Sequence, residues 1–343
     1  MIIMIISLAF FTSLISILTL RSFAIRFNFV DFPTERKNHV GNIPLIGGIC
    51  IFLGALISYI FFIEFNKFFN ILLFTASLIL IQGVWDDYKN LKAKTKMAFQ
   101  AFLTVIIIYT TDIKLDSLGH LFWMSQSIEL GILSIPITVI AVVGLTNAIN
   151  MIDGIDGLAI SLVTIAIIGM LSFNLNSDMS SFAELLLAIV AASLPFMVFN
   201  IVSYPKKKIF LGDGGSLFLG FIISWALIYS TQIENNFNPS FALWCVAIPL
   251  FDFFTVIAIR LLEKRSLIVA SKDHIHHILQ NEGFSKLKIL LLIVFPGLII
   301  LLVGRFIEDN APTLSFSMFT IIFLIYLLIR IFKIIKNKSE RYQ

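Results

Sequence analysis

Charge is scarce in this chain. Of 343 residues only 13% are Asp, Glu, Lys or Arg, while 58% are hydrophobic, and the mean hydropathy is +0.96. That balance excludes a soluble domain, whose surface needs far more ionic groups. No polar stretch is long enough to build a second, water-exposed core. The alternation that marks a membrane β-barrel is missing too, because the apolar runs are continuous. Cysteine is limited to Cys50 and Cys245, both inside apolar runs and without metal-type spacing, so buried free thiols are expected. Internal repeats and low-complexity tracts are absent. Residues 2–20 are apolar, yet no basic segment precedes them and no small-residue cleavage site follows. A retained first helix is expected there, not a removed signal peptide.

What remains is a succession of apolar runs, each near the roughly 20 residues a helix needs to cross about 30 Å of hydrocarbon. Eleven are read: 2–20, 44–63, 68–85, 97–111, 129–146, 158–173, 182–202, 217–231, 240–262, 287–304 and 313–332. The expected fold is an all-α polytopic membrane protein forming a single domain over residues 1–343. Of its 25 Lys and Arg, 22 fall in segments 21–43, 86–96, 203–216, 260–288 and 330–343. The alternate loops hold only Lys67, Lys114 and Arg305. Since positive charge stays in the cytoplasm, the first set is inside, the amino terminus outside and the carboxyl terminus cytoplasmic. The outer loops are chemically plain, with Trp123 suited to an interfacial belt and His120 read as structural.

The inner segments carry the polar clusters. Asn147, Asn150, Asp153 and Asp156 recur at three-residue intervals between two apolar runs, a spacing that shares one face of a helix. Gly154 and Gly157 lie among them; the bland reading is a polar turn between helices. Uncompensated acids flanked by hydrocarbon-loving sequence need water, a cation or a substrate. Asp86 and Asp87 are adjacent and repel each other unless a cation or shared proton intervenes; as hard oxygen donors they suit Mg²⁺, and otherwise they are a solvated helix cap. Gly212-Asp213-Gly214-Gly215-Ser216 opens an apolar run, where a helix amino terminus favours phosphate. The Asp213 carboxylate would repel that phosphate without a bridging metal. Phe210, at the boundary, offers a face for a nucleobase.

Arg36, Lys37 and His39 follow the first run and either grip phosphate or touch anionic headgroups. Arg265 precedes Asp273-His274-Ile275-His276-His277. Three histidines invite zinc, but 274 and 277 share a helical face while 276 points elsewhere, and no cysteine accompanies them. Diphosphate binding or proton transfer suits these imidazoles better. Asp252 lies inside a span and requires a partner. A transporter would place its polar residues near the midplane in repeated halves, whereas these clusters all fall on one side. An enzyme at the inner face, with one cytosolic and one lipid substrate, fits best. A transporter of an anionic metabolite and a scaffold with a degenerate site are the alternatives.

In order, Asp86-Asp87, Asn147-x-x-Asn150-x-x-Asp153-Gly-x-Asp156-Gly-Leu158, Phe210-x-Gly212-Asp213-x-Gly-Ser216 and His274-x-His276-His277 resemble the motifs of the polyprenyl-phosphate N-acetylhexosamine-1-phosphate transferases, glycosyltransferase family 4. The resemblance covers roughly residues 30–285, and the His-x-His-His form is similar to the WecA/TagO-like branch. It implies transfer of N-acetylhexosamine-1-phosphate, foremost GlcNAc-1-phosphate, from a UDP-sugar to undecaprenyl phosphate, opening a cell-surface glycan pathway. UDP-QuiNAc, UDP-FucNAc and the MurNAc-pentapeptide nucleotide are the alternative donors. It further implies that Asp86, Asp87 and Asp213 are catalytic, with Asp213 and Asp87 holding Mg²⁺ or alternatively Mn²⁺. Lys37, Asn150, Asp153, Asp156, Phe210, Arg265, His274, His276 and His277 then bind substrate: Asp156 meets the uracil, Phe210 stacks on it, and the histidines meet the diphosphate or sugar. The implied setting is a bacterial inner membrane with the site facing the cytoplasm, no nucleic-acid partner, and a homodimer left open.

Overall fold

A computed structural model describes residues 1–32, 41–122, 124, 126–173, 180–202, 207–266 and 273–341. Among these residues thirteen α-helices form: α1 (Ile2–Arg26), α2 (Gly47–Phe62), α3 (Lys67–Lys89), α4 (Ala93–Thr111), α5 (Ser134–Ile152), α6 (Leu158–Leu171), α7 (Ser181–Met197), α8 (Gly212–Gln232), α9 (Pro239–Cys245), α10 (Ala247–Leu262), α11 (Ile275–Asn281), α12 (Lys286–Asn310) and α13 (Ser315–Arg341). Two short antiparallel strands, β1 (Val30–Asp31) and β2 (Ile43–Pro44), pair Val30 with Pro44. Helices dominate because continuous apolar sequence in lipid must satisfy its own backbone hydrogen bonds.

Every apolar run read from the sequence coincides with a helix or, for 240–262, with a pair of helices. Seven helical segments are long and apolar enough to cross a membrane, or eight counting α9 and α10, which meet at an 85° bend. Helices α2 and α6 are apolar but shorter. The chain is a multi-pass, all-α membrane protein.

Helix α8 stands at the centre: 94% of its most apolar stretch is buried, against 22% for α1. It packs on α2, α3, α5 and α6. Without a water-driven hydrophobic force between helices, close packing depends on small residues that let backbones meet. At α8 those residues are glycines. A Cβ on Gly48 would lie 2.1 Å from the Gly215 Cα, and one on Gly83 would lie 2.3 Å from the Gly214 Cα. The amino-terminal turn of α8 is thereby wedged between α2 and α3, backbone on backbone.

Pro195 lies inside α7, where it removes an amide donor, and the chain continues as a π-helical turn at Val198–Val202. That turn points Asn200 inward, where it is 4% exposed. At the opposite end of α8, His120, Gln232 and Glu308 line a cavity of about 620 Å³.

Candidate active site

The site grows from the amino-terminal end of α8. Asp87, in the last turn of α3, accepts the Asp213 N–H at 3.0 Å and the Gly214 N–H at 3.4 Å. The free helix amino terminus expected to receive phosphate is therefore capped by a carboxylate. Its glycines serve the contacts with α2 and α3, and Gly212, at φ +77, makes room for Asp87. Asp86 adjoins the same centre, its carboxyl within hydrogen-bonding reach of Asp213. It is 4% exposed, accepts the Leu91 N–H at 2.7 Å and pairs with Lys96. Lys96 also stands 3.8 Å from Asp213. Lys96 and the backbone amides offset part of the repulsion expected within the acidic pair, while Asp213 and Asp86 still weigh on Asp87.

Helix α5 supplies the second wall. Asn150 donates to the Asp213 carboxylate at 3.0 Å and to the Ser216 hydroxyl at 2.8 Å. Asn147, one turn earlier, donates to Gln100 at 2.6 Å and supports α4 instead of the site. The single helical face expected for Asn147, Asn150, Asp153 and Asp156 ends at Ile152, since Asp153 terminates α5 with ψ 52 and Asp156 lies on the following turn. Asn200 fixes that turn: its carbonyl oxygen accepts the Gly157 N–H at 2.6 Å, and its amide donates to the Ile209 carbonyl at 2.9 Å.

Asp153 meets the other acids here. Loss of water around it, then the Asp213, Asp87 and Asp156 carboxylates, push its carboxyl well above the usual range. Asp156 is neutralised by two lysines, Lys208 at 2.6 Å and Lys286 at 3.2 Å. Phe210 is half-buried; its N–H donates to Pro44, and Lys208 lies 5.7 Å from its ring centre.

The histidine segment closes the site. Asp252 binds the His274 Nδ1 at 2.7 Å and accepts the Ile275 N–H at 2.8 Å, so the partner required by this buried acid is found. His274 precedes α11 as its cap, and the three imidazoles cluster: ring centres lie 6.0 Å apart for His274 and His276 and 4.1 Å for His276 and His277. The expectation that His276 points away is corrected, because α11 begins after His274 and the three residues do not share one helix. His276 presses on the Asp153 turn, where a Cβ on Gly154 would come within 2.1 Å of its Nε2. Burial, then His277, lower the His276 pKa to about 3, so its imidazole is neutral.

Arg265 forms ion pairs with Glu263 at 2.6 Å and Asp273 at 3.0 Å, beside the histidines and partly exposed. Lys37, with Arg36 and His39, lies outside the described residues. Among the described residues no three His, Cys, Asp or Glu side chains form a metal cage. The hard donors available are the neighbouring carboxylates of Asp87 and Asp213.

The sequence reading overlooked Lys96, Lys208, Lys286, Asn200 and Arg330. The four basic residues stood in runs counted only for membrane orientation. Asn200, an amide in an apolar stretch near Pro195, was a signal that went unused.

A cluster of acids and lysines drawn from distant parts of the sequence to one end of a polytopic helix bundle is the arrangement of a membrane enzyme. The profile of Glycosyl transferase family 4 matches residues 69–231. The undecaprenyl-phosphate alpha-N-acetylglucosaminyl 1-phosphate transferase of Haemophilus influenzae is 36% identical over 300 residues, covering 86% of this chain and 84% of the relative. The proteins of the same name from Pasteurella multocida and Escherichia coli K12 are 34% and 31% identical, covering 92% and 88% of this chain and 90% and 83% of their own lengths. The chain belongs to glycosyl transferase family 4.

Proposed function

We propose that the protein transfers N-acetylglucosamine-1-phosphate from UDP-N-acetylglucosamine to undecaprenyl phosphate, releasing UMP, in a bacterial plasma membrane with its site open to the cytoplasm. The observation that carries this reading is the convergence of Asp87, Asp153, Asp156 and Asp213 with Lys96, Lys208 and Lys286 around one end of α8. The names of the relatives support the substrates. In this reading the chain crosses eleven times, α9 and α10 counting as one bent span, with the amino terminus outside and the carboxyl terminus inside; the distribution of basic residues supports it.

An oxygen of the prenyl phosphate attacks the β-phosphorus of the UDP-sugar. The bond from that phosphorus to the bridging oxygen breaks, and UMP leaves with the electron pair. Both reactants are anions, so repulsion dominates the barrier and positioned positive charge lowers it. Lys96, Lys208 and Lys286 supply that charge. Asp87 takes the proton of a singly protonated lipid phosphate. Asn150 orients Asp213, and Phe210 offers its ring to the uracil, with Asp156 beside Lys208 at the same subsite. His274, His276, His277 and Arg265 line the diphosphate and sugar side.

Mg²⁺ suits the donors present, since it binds through one or two carboxylates and completes its shell with phosphate and water. Asp87 and Asp213 would hold it, and it would neutralise phosphate charge; Mn²⁺ suits the same oxygens. Lys37 is proposed as a further phosphate contact and a homodimer as the assembly.

Purified protein should release UMP from UDP-N-acetylglucosamine only with prenyl phosphate and divalent cation present. A panel including UDP-QuiNAc, UDP-FucNAc and the MurNAc-pentapeptide nucleotide, analysed by mass spectrometry, identifies the sugar. Absence of UMP under these conditions overturns the reading.

A further inference from the structure

Arg330 belongs by sequence to the basic residues that follow the last apolar run. In the fold it is only 4% exposed, inside the bundle. Its guanidinium donates to the Asp273 carbonyl at 2.6 Å, to the Tyr326 hydroxyl at 2.7 Å and to the Asp252 carboxylate at 3.3 Å. That carboxylate is shared: its other oxygen binds the His274 Nδ1 at 2.7 Å. Helices α10 and α13 and the histidine segment thus meet at one buried carboxylate. A buried guanidinium without its partners is strongly destabilising, so so many directed contacts fix one geometry.

We propose that Arg330 is a positioning residue for the transfer reaction, acting through Asp252 to hold His274 with Nδ1 engaged and Nε2 turned to the ligand. The inference rests on the proposed transferase reading. With its Nδ1–H donated to Asp252, His274 keeps Nε2 as its working nitrogen. Asp252 and Arg330 carry opposite charges beside His274, and the guanidinium shares the carboxylate that the imidazole uses. Other charged or titratable groups around the segment are Arg260 and Arg265, both paired with Asp273, then His276 and His277, and the Glu282–Lys333 pair where α11 meets α13. Tyr326 completes the set. None of them divides the Asp252 carboxylate with His274.

The test is the pH dependence of kcat/KM for UMP release. Arg330→Gln removes the positive charge, so whichever limb His274 governs moves up, by about one pH unit. Asp252→Asn removes the negative charge and moves the same limb down. Arg330→Lys keeps the charge but loses the fork; it leaves the limb in place and lowers kcat several-fold with KM little changed. Thermal unfolding separates these effects from misfolding, and Tyr326→Phe, which removes one support of the guanidinium, gives a smaller upward shift if Arg330→Gln does not fold. Limbs that stay fixed in both charge variants, or move the same way, overturn the inference and leave a purely structural Arg330. An inactive wild-type enzyme instead overturns the transferase reading itself.

Discussion

Asp87 caps the helix that carries Asp213: its carboxylate accepts the Asp213 N–H at 3.0 Å, joining residues 126 positions apart. One acid therefore serves both the fold and the site, and substitutions can separate the two. Asp87→Asn keeps an acceptor for the cap and loses the charge, whereas Asp87→Ala loses both. UMP release should fall on the order of 10²–10³-fold in each. Only the alanine variant should lose a further ~1 kcal/mol of stability, the usual worth of a helix cap, measured by thermal unfolding.

Gly154→Ala places a methyl group 2.1 Å from the His276 Nε2. The histidine segment must then shift from the Asp153 turn. Activity should drop about tenfold or more while the protein still folds, because the clash falls on the ring of one side chain and not on backbone. Gly48→Ala and Gly83→Ala should behave differently. Their methyl groups meet backbone of α8, so the expected outcome is a loss of about 1–3 kcal/mol in stability and poor recovery from the membrane.

Asp153 and His276 pull the pH profile of stability in opposite directions. Asp153 has its folded pKa raised, so its ionisation weighs against the fold as pH rises above the ordinary carboxylate value. Asp153→Asn should raise the Tm at pH 7 while activity falls by two orders of magnitude or so. His276 has its folded pKa lowered to about 3, so the unfolded chain takes up the proton first. Its contribution is complete above roughly pH 6.5 and is lost as pH falls towards 3. His276→Gln should flatten that acid-side loss, read as Tm against pH.

Lys208 and Lys286 share the Asp156 carboxylate. Replacing either by alanine should raise the KM for the UDP-sugar several-fold and lower kcat with it, and the effect should shrink at high salt as screening weakens the pair. Asp156→Asn releases both lysines and should alter nucleotide selectivity, measured with UDP- and other nucleoside-diphosphate sugars.

Chelation should abolish activity, and added Mg²⁺ should restore it. Asp213→Asn should raise the Mg²⁺ concentration needed for half-maximal rate and leave the Asp87 cap on the α8 backbone intact, as judged by unfolding.

Much of the fold was legible because spanning helices announce themselves: Ile289, Val303 and the residues between them form an unbroken apolar run, and it is helical. The order of the acidic motifs likewise pointed to one site. What the sequence concealed was pairing across long separations. Nothing near Asp156 suggests Lys286, which is 130 positions away. Arg330 counted only among the cytoplasmic basic residues, because its burial arises from tertiary packing of α13 against α10. The glycines at 212–215 carried two physical meanings, phosphate approach and helix contact, and only the positions of Gly48 and Gly83 on neighbouring helices distinguish them. The three-residue spacing from Asn147 broke where α5 ran out, at a boundary that local propensity fixes poorly.

The pressing of Gly215 on Gly48 and of Gly214 on Gly83 leaves the corner beside Asp213 with no side-chain freedom to surrender. A ligand arriving there finds its acidic and amide groups already aligned, so little ordering entropy is lost on that wall. The adaptation that different lipid lengths or sugars demand must then come from the histidine side, where the walls are side chains and not main chain.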